Sequence, residues 1–164
     1  MEGPRVAIRI IGISPTSHGF AFSVTEGPEK LVDWGRCGIG DSEMLVHRLD
    51  RLIVHNRPLF VASEFERNKR SRRGTQFNAA LRKVCARYGI MILGVERQVA
   101  YTPRRGHRPV TNYQIAQVVA DRFRSIANKL PRPRQSWDGS DDRLGILVAA
   151  ELASAGWRHF RSSH

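Results

Sequence analysis

Residues 8–24, IRIIGISPTSHGFAFSV, decide how this chain folds. Ile10, Ile11 and Ile13 are β-branched, with Gly12 among them, and Pro15-Thr16-Ser17-His18-Gly19 carries the punctuation of a turn. Phe20, Phe22 and Val24 then mark every second position as buried, so the stretch reads as two strands of a hairpin. A first strand that is apolar on both faces has to leave water on both. It therefore belongs in the middle of a sheet with helices above and below.

Working outward, residues 5–14 form the first strand, 18–25 the second, and 30–38 (KLVDWGRCG) a third after the turn Glu26-Gly27-Pro28-Glu29. Asp41-Ser42 offers a cap for a helix carrying Met44, Leu45, Leu49, Leu52 and Ile53 at helical spacing, which should stop near Asn56 before Pro58. Residues 59–65, LFVASEF, read as a fourth strand, and Glu64 and Glu66 at its end fall on one side of an extended chain. A basic loop, Arg67 to Gly74, leads to a helix marked by Phe77, Ala80, Leu81, Val84 and Cys85 and closed at Tyr88-Gly89. Residues 90–95 make a fifth strand. After a second basic loop from Thr102 to Pro109, Thr111 is placed to cap a helix carrying Ile115, Val118, Val119, Phe123 and Ile126. Leu130-Pro131-Arg132-Pro133-Arg134 breaks that helix, and the acidic run from Asp138 to Asp142 opens a last one along Leu144, Leu147, Val148 and Leu152.

The chain's 164 residues are one domain's worth, enough to bury about 70% of the surface exposed on unfolding. A formal net charge of +12 draws polyanions, so nucleic acid is the expected partner. No stretch is long or apolar enough for a bilayer span, and Met1-Glu2-Gly3-Pro4 lacks a signal peptide's character. Cys37 and Cys85 have neither pairing nor metal-ligand spacing, so they read as ordinary thiols in a reducing cytoplasm.

In so basic a chain the acidic residues at the ends of apolar elements stand out. Glu64, or Glu66, closes a central strand, and open sheets build their sites at such strand ends. Asp138, Asp141 and Asp142 precede a largely apolar helix, with spacings of three and four that put pairs of them on one helical face. Helix capping accounts for the aspartates without any chemistry, and a solvated strand end balanced by Arg67, Lys69 and Arg70 accounts for the glutamates. The chemical reading is a carboxylate cage for Mg²⁺ (or Mn²⁺), since hard cations take oxygen ligands and phosphodiester hydrolysis profits from bound ions.

The string IGISP, the strand ending at Glu64, Arg97-Gln98-Val99 and the start of the last helix together resemble the RuvC-type Holliday-junction nucleases of the RNase H-like superfamily. The resemblance implies an α/β, RNase H-like fold over residues 1–164 as a single domain. Its five-stranded mixed sheet has the first three strands antiparallel and helices flanking it. That family draws its carboxylates from the first strand, the fourth strand and the last helix, which here point to Ser14, Glu64 and the run from Asp138 to Asp142. Asp142-Arg143-Leu144-Gly145-Ile146 matches the family's last-helix pattern. The position three residues earlier is Gly139, so Asp138 or Asp141 would stand in. The implied catalytic set is Ser14, Glu64, Asp138 and Asp142, and the implied metal set is Glu64, Asp138, Asp141 and Asp142. Ser14 occupies the position of the family's first aspartate, and a neutral hydroxyl is a weak ligand there.

The implied activity is a metal-dependent, structure-selective DNA endonuclease acting as a homodimer on branched or junction DNA. The rival is a junction-binding protein that kept the fold and lost the cage. Arg67, Lys69, Arg70, Arg72 and Arg73 in the first basic loop, and Arg104, Arg105 and Arg108 in the second, flank the cage and suit phosphate contacts. Phe65, Phe77, Tyr101 and Tyr113 are candidates for stacking on bases or for plain packing, and His18 and His107 for proton transfer or plain surface.

Overall fold

A computed structural model of the chain describes residues 7–96, 112–130 and 143–163. Within them lie β1 (Ile10–Thr16), β2 (Gly19–Thr25), β3 (Leu31–Gly38), α1 (Ser42–Asn56), β4 (Phe60–Ser63), α2 (Phe65–Asn68), α3 (Arg72–Arg87), β5 (Met91–Gly94), α4 (Asn112–Arg122), a 3₁₀ turn (Arg124–Lys129) and α5 (Arg143–Ser163).

The strands form one mixed sheet in the order β3-β2-β1-β4-β5. β1 pairs antiparallel with β2 and parallel with β4; β2–β3 is antiparallel and β4–β5 parallel. β1 is central, as its two apolar faces require, and Ile10, Ile11 and Ile13 are fully buried. Ile11 and Ile13 pack with Phe20, Val61, Leu49, Phe77 and Leu81 under α1 and α3. Ile10 faces the other way, against Ala153 and Trp157 of α5. On that second face Ala21 and Ala62 form the floor for α4, the 3₁₀ turn and α5.

Helix α5 lies directly over β1 and runs against it. Gly156 meets Ile10, Ala149 meets Gly12, and Gly145 meets Thr16 and Ala21, so the N-terminus of α5 stands at the C-terminal end of β1. Buried hydrogen bonds fix this docking: Ser23 Oγ donates to the Ile146 carbonyl at 2.9 Å, and Trp157 Nε1 donates to Thr25 Oγ1 at 2.7 Å.

Helix α1 starts where expected, with the Asp41 carboxylate accepting from the Met44 N–H at 2.8 Å. It stops at Arg57, whose left-handed backbone (φ 46) turns the chain before Pro58. Three expectations need correction. The fourth strand ends at Ser63 rather than residue 65, because Glu64 leaves extended geometry and Phe65 begins α2. The first basic segment is therefore not a loop: Arg67 lies on α2, and Arg72 and Arg73 form the first turn of α3. The predicted helix through Ile126 ends at Arg122, since Phe123 leaves helical geometry, though Phe123 and Ile126 are both buried. The cap predicted at Thr111 lies outside the described residues.

Candidate functional site

The site is built where β1 and β4 end together. Ser14 follows Ile13 on β1, is half-buried, and shares a face with Gly12, the face that α5 covers. The parallel register runs from Ile10 opposite Phe60 to Gly12 opposite Ala62. Ser14 on β1 and Glu64, the residue after β4, therefore lie at the same end of the sheet on adjacent strands. Glu64 is only 3% exposed. A half-buried hydroxyl near the end of β1 and a buried carboxylate just after β4 thus stand at one end of the sheet.

A buried amide network holds the turn that carries Glu64. Ser63 Oγ donates to the Ile13 carbonyl at 2.9 Å, clamping β4 to β1 one residue before the site. Asn68 Nδ2 donates to Ser63 Oγ at 3.3 Å and to Asn78 Oδ1 at 2.9 Å, and Asn78 Nδ2 donates to the Phe65 carbonyl at 3.0 Å. Helix α3 is thereby tied to α2 and to both strands. Gly74 completes the junction, because a Cβ there would come within 1.8 Å of the Asn68 carbonyl oxygen. Sequence reasoning did not single out Asn68 and Asn78. Their signal was available: Asn78 lies between Phe77 and the pair Ala80 and Leu81, on the side of α3 that faces inward.

Glu66 does not share the face of Glu64. It is exposed on α2 and pairs with Lys69 at 2.9 Å, which holds its carboxyl below the ordinary glutamate value. Of the two, Glu64 is the buried one. Arg67, Lys69, Arg70, Arg72 and Arg73 are all exposed at this end of the sheet. Arg72 and Arg73 sit in the first turn of α3, where no acidic residue balances them and the helix dipole is already positive. An anion is favoured there on both counts.

Phe65 and Phe77 are core residues, 8% and 1% exposed, and so do not offer stacking faces; Arg82 covers the Phe65 ring, 4.7 Å from its centroid. Tyr113 is half-buried, and His18 is exposed beside Ser17. Asp138, Asp141, Asp142, Arg104, Arg105, Arg108, Tyr101 and His107 lie outside the described residues.

No family model matches this chain, and no curated protein does. Solved structures do. A structure of RuvC from Thermus thermophilus superposes with a TM-score of 0.66 over 95% of this chain and 97% of that one, at 16% identity. The fold is RNase H-like, of the RuvC type. T. thermophilus RuvC in complex with a Holliday junction substrate superposes likewise, with a TM-score of 0.68, covering 95% and 96% of the two chains at 14% identity.

Whether the site suits a divalent cation depends on its donors. Among the described residues no group of three His, Cys, Asp or Glu side chains could hold a metal. What β1 and β4 bring together is one carboxylate and one hydroxyl. That set suits a single Mg²⁺, which keeps several waters and takes one or two carboxylates beside substrate phosphates. By themselves these two groups do not bridge a pair of ions.

Two further groups escaped the sequence reading. Glu151 on α5 is 2% exposed between Arg122 of α4 (3.1 Å) and Arg158 (2.9 Å); burial raises its carboxyl and the two arginines oppose that rise. It fastens α4 to α5. Arg36 on β3 is the other.

Proposed function

We propose that this protein binds branched DNA and hydrolyses its phosphodiesters as a Mg²⁺- or Mn²⁺-dependent, structure-selective endonuclease of the Holliday-junction-resolvase type, with a rate lowered by Ser14. What supports the reading is the buried Glu64 directly after β4, at the same end of the sheet as Ser14 on the adjacent β1, in a fold of the RuvC type. A strongly cationic chain supports it, as do the exposed arginines at the same end.

Glu64 would hold the ion, with Asp142 and either Asp138 or Asp141 as the further carboxylates. A bound divalent ion would polarise the phosphate and lower the pKa of a water. The chain's own contribution is positional. The amide network keeps Glu64 at the strand end, burial keeps bulk water from its carboxylate, and the cations of α2 and α3 hold phosphates near it. Ser14 lacks the charge that would fix a second ion. A homodimer presenting two sites to two strands, in a cytoplasmic setting, belongs to the same reading.

Ser14 also favours a second reading, in which the protein holds junctions without cutting them. Cleavage of a labelled four-way junction and a matched linear duplex in Mg²⁺ or Mn²⁺ separates the two. Junction cutting that is lost in Glu64→Gln and raised in Ser14→Asp supports the nuclease. Junction binding with no cutting in any of the three proteins supports the binder, and absence of binding removes both.

A further inference from the structure

On the α5 face of the sheet, a groove of about 500 Å³ opens between the sheet edge and the 3₁₀ turn, lined by Thr16, Trp34, Arg36, Gly38, Lys129 and Ile146 among others. Its inner end adjoins the C-terminal end of β1, where Thr16 lies two residues beyond Ser14. Its outer end is the edge strand β3.

The strand registers show what lies between. Ser14 pairs with Ala21, and Ala21 pairs with Arg36, so these residues form one row across three strands and share one face. Arg36 therefore stands two strand spacings, about 10 Å, from Ser14 along the row. The next row, Thr16, Gly19 and Gly38, has no side chain beyond Thr16. Ala21 itself lies under Gly145 of α5, so the open groove runs along Thr16 and Gly38 with Arg36 standing beside it.

Among the described residues the groove's charge is positive. Arg36 is exposed, Lys129 reaches in from the opposite wall, and among the described residues no carboxylate pairs with either. The acid nearest in sequence, Asp33, stands opposite Val24, whose side chain packs under α1 and α3, so it belongs to the other face. Exposed His18 at the rim adds no negative charge.

We propose that this groove is a track for the DNA strand leading away from the Ser14–Glu64 site, with Arg36 and Lys129 each holding a backbone phosphate. The inference rests on the reading that this end of the sheet engages DNA. It adds a contact surface on the β3 edge, separate from the arginines of α2 and α3. Phosphate contacts of this kind set register on the substrate and carry no base preference.

The test is binding of a labelled four-way junction over a series of salt concentrations, using the full chain, Arg36→Gln, Lys129→Gln, the double variant, and Lys83→Gln as a control on the opposite side of the sheet. Each lost phosphate contact should lower the slope of log affinity against log salt by about 0.7–0.9. The double variant should therefore lose about twice that, Lys83→Gln should lose none, and Arg36→Lys should recover part of the loss. Thermal unfolding of the variants should match the parent, because Arg36 is exposed. Binding by the parent with an unchanged slope in the double variant would overturn the track and leave the DNA reading standing. An equal loss in Lys83→Gln would overturn it too, by showing only a general field. No binding by the parent would instead overturn the DNA reading itself.

Discussion

The β-carbon that Gly12 lacks would sit 1.7 Å from the carbonyl oxygen of Ala149. The central strand and the last helix touch there backbone to backbone, two residues before Ser14. Gly12→Ala would have to push α5 off the sheet, breaking the packing of Ile10, Ala153 and Trp157 as well. Overpacking usually costs about 1–3 kcal/mol, and backbone cannot swing aside as a side chain can, so a loss of about 3 kcal/mol is expected. The midpoint of urea unfolding measures it. A shift within error of the parent would mean that α5 docks more loosely than described.

Asn68 and Asn78 satisfy one another and the turn that bears Glu64. Asn68→Ala leaves the buried Asn78 carbonyl without its donor and should cost about 1–3 kcal/mol. Because the residues act as a pair, the double variant should cost clearly less than the sum of the single ones. A double-mutant cycle by chemical denaturation tests this, and strict additivity would show that the network is not coupled.

Glu26 joins three elements. Its carboxylate accepts from Lys30 at 3.1 Å and from Arg9 at 2.8 Å, and Arg9 also reaches Asn56 at the end of α1. The Lys30 contact, then that of Arg9, holds the Glu26 carboxyl below the ordinary glutamate value of 4.5. A carboxyl depressed in the folded state contributes stability above its unfolded pKa and loses it as pH falls through the folded one. Glu26→Gln should therefore lower the melting temperature at neutral pH and flatten its fall below about pH 4.5. Melting curves of the two proteins from about pH 7 to about pH 3 provide the check. Asp50 and Glu66 are depressed too, so a residual acid slope is expected.

Burial pushes the Cys85 thiol up to about 11, while Cys37 is half-buried and raised by burial against the opposing pull of Arg48. At about pH 8 the thiolate fraction of Cys85 is on the order of 0.1%, and only the thiolate reacts. Iodoacetamide should modify Cys37 first and reach Cys85 only on unfolding. Peptide mapping over time reads this order, and equal rates would show that the core under α3 opens readily.

How much of this was legible beforehand follows from what each residue depends on. The three-strand start, the central place of β1 and the helices at 42–56 and 72–87 were written in local periodicity. Apolar residues on both faces of residues 10–13 leave only the middle of a layered sheet, and the Asp41 cap fixes where α1 begins. The acidic strand end was legible as well, because a carboxylate after an apolar run in a basic chain is conspicuous. Which glutamate the fold buries was not. Alternation made Glu64 and Glu66 equivalent, and only the turn into α2, held by Asn68 and Asn78 from a helix distant in sequence, buried one and exposed the other. Arg36 was likewise one charge among 27 lysines and arginines until the registers of β1, β2 and β3 aligned it with Ser14. The sequence by itself determined the elements and their chemistry, since propensity and hydrophobic period are local properties. The tertiary structure alone decided which side chains face one another, because strand register and helix docking are set by contacts between segments that the linear order keeps apart.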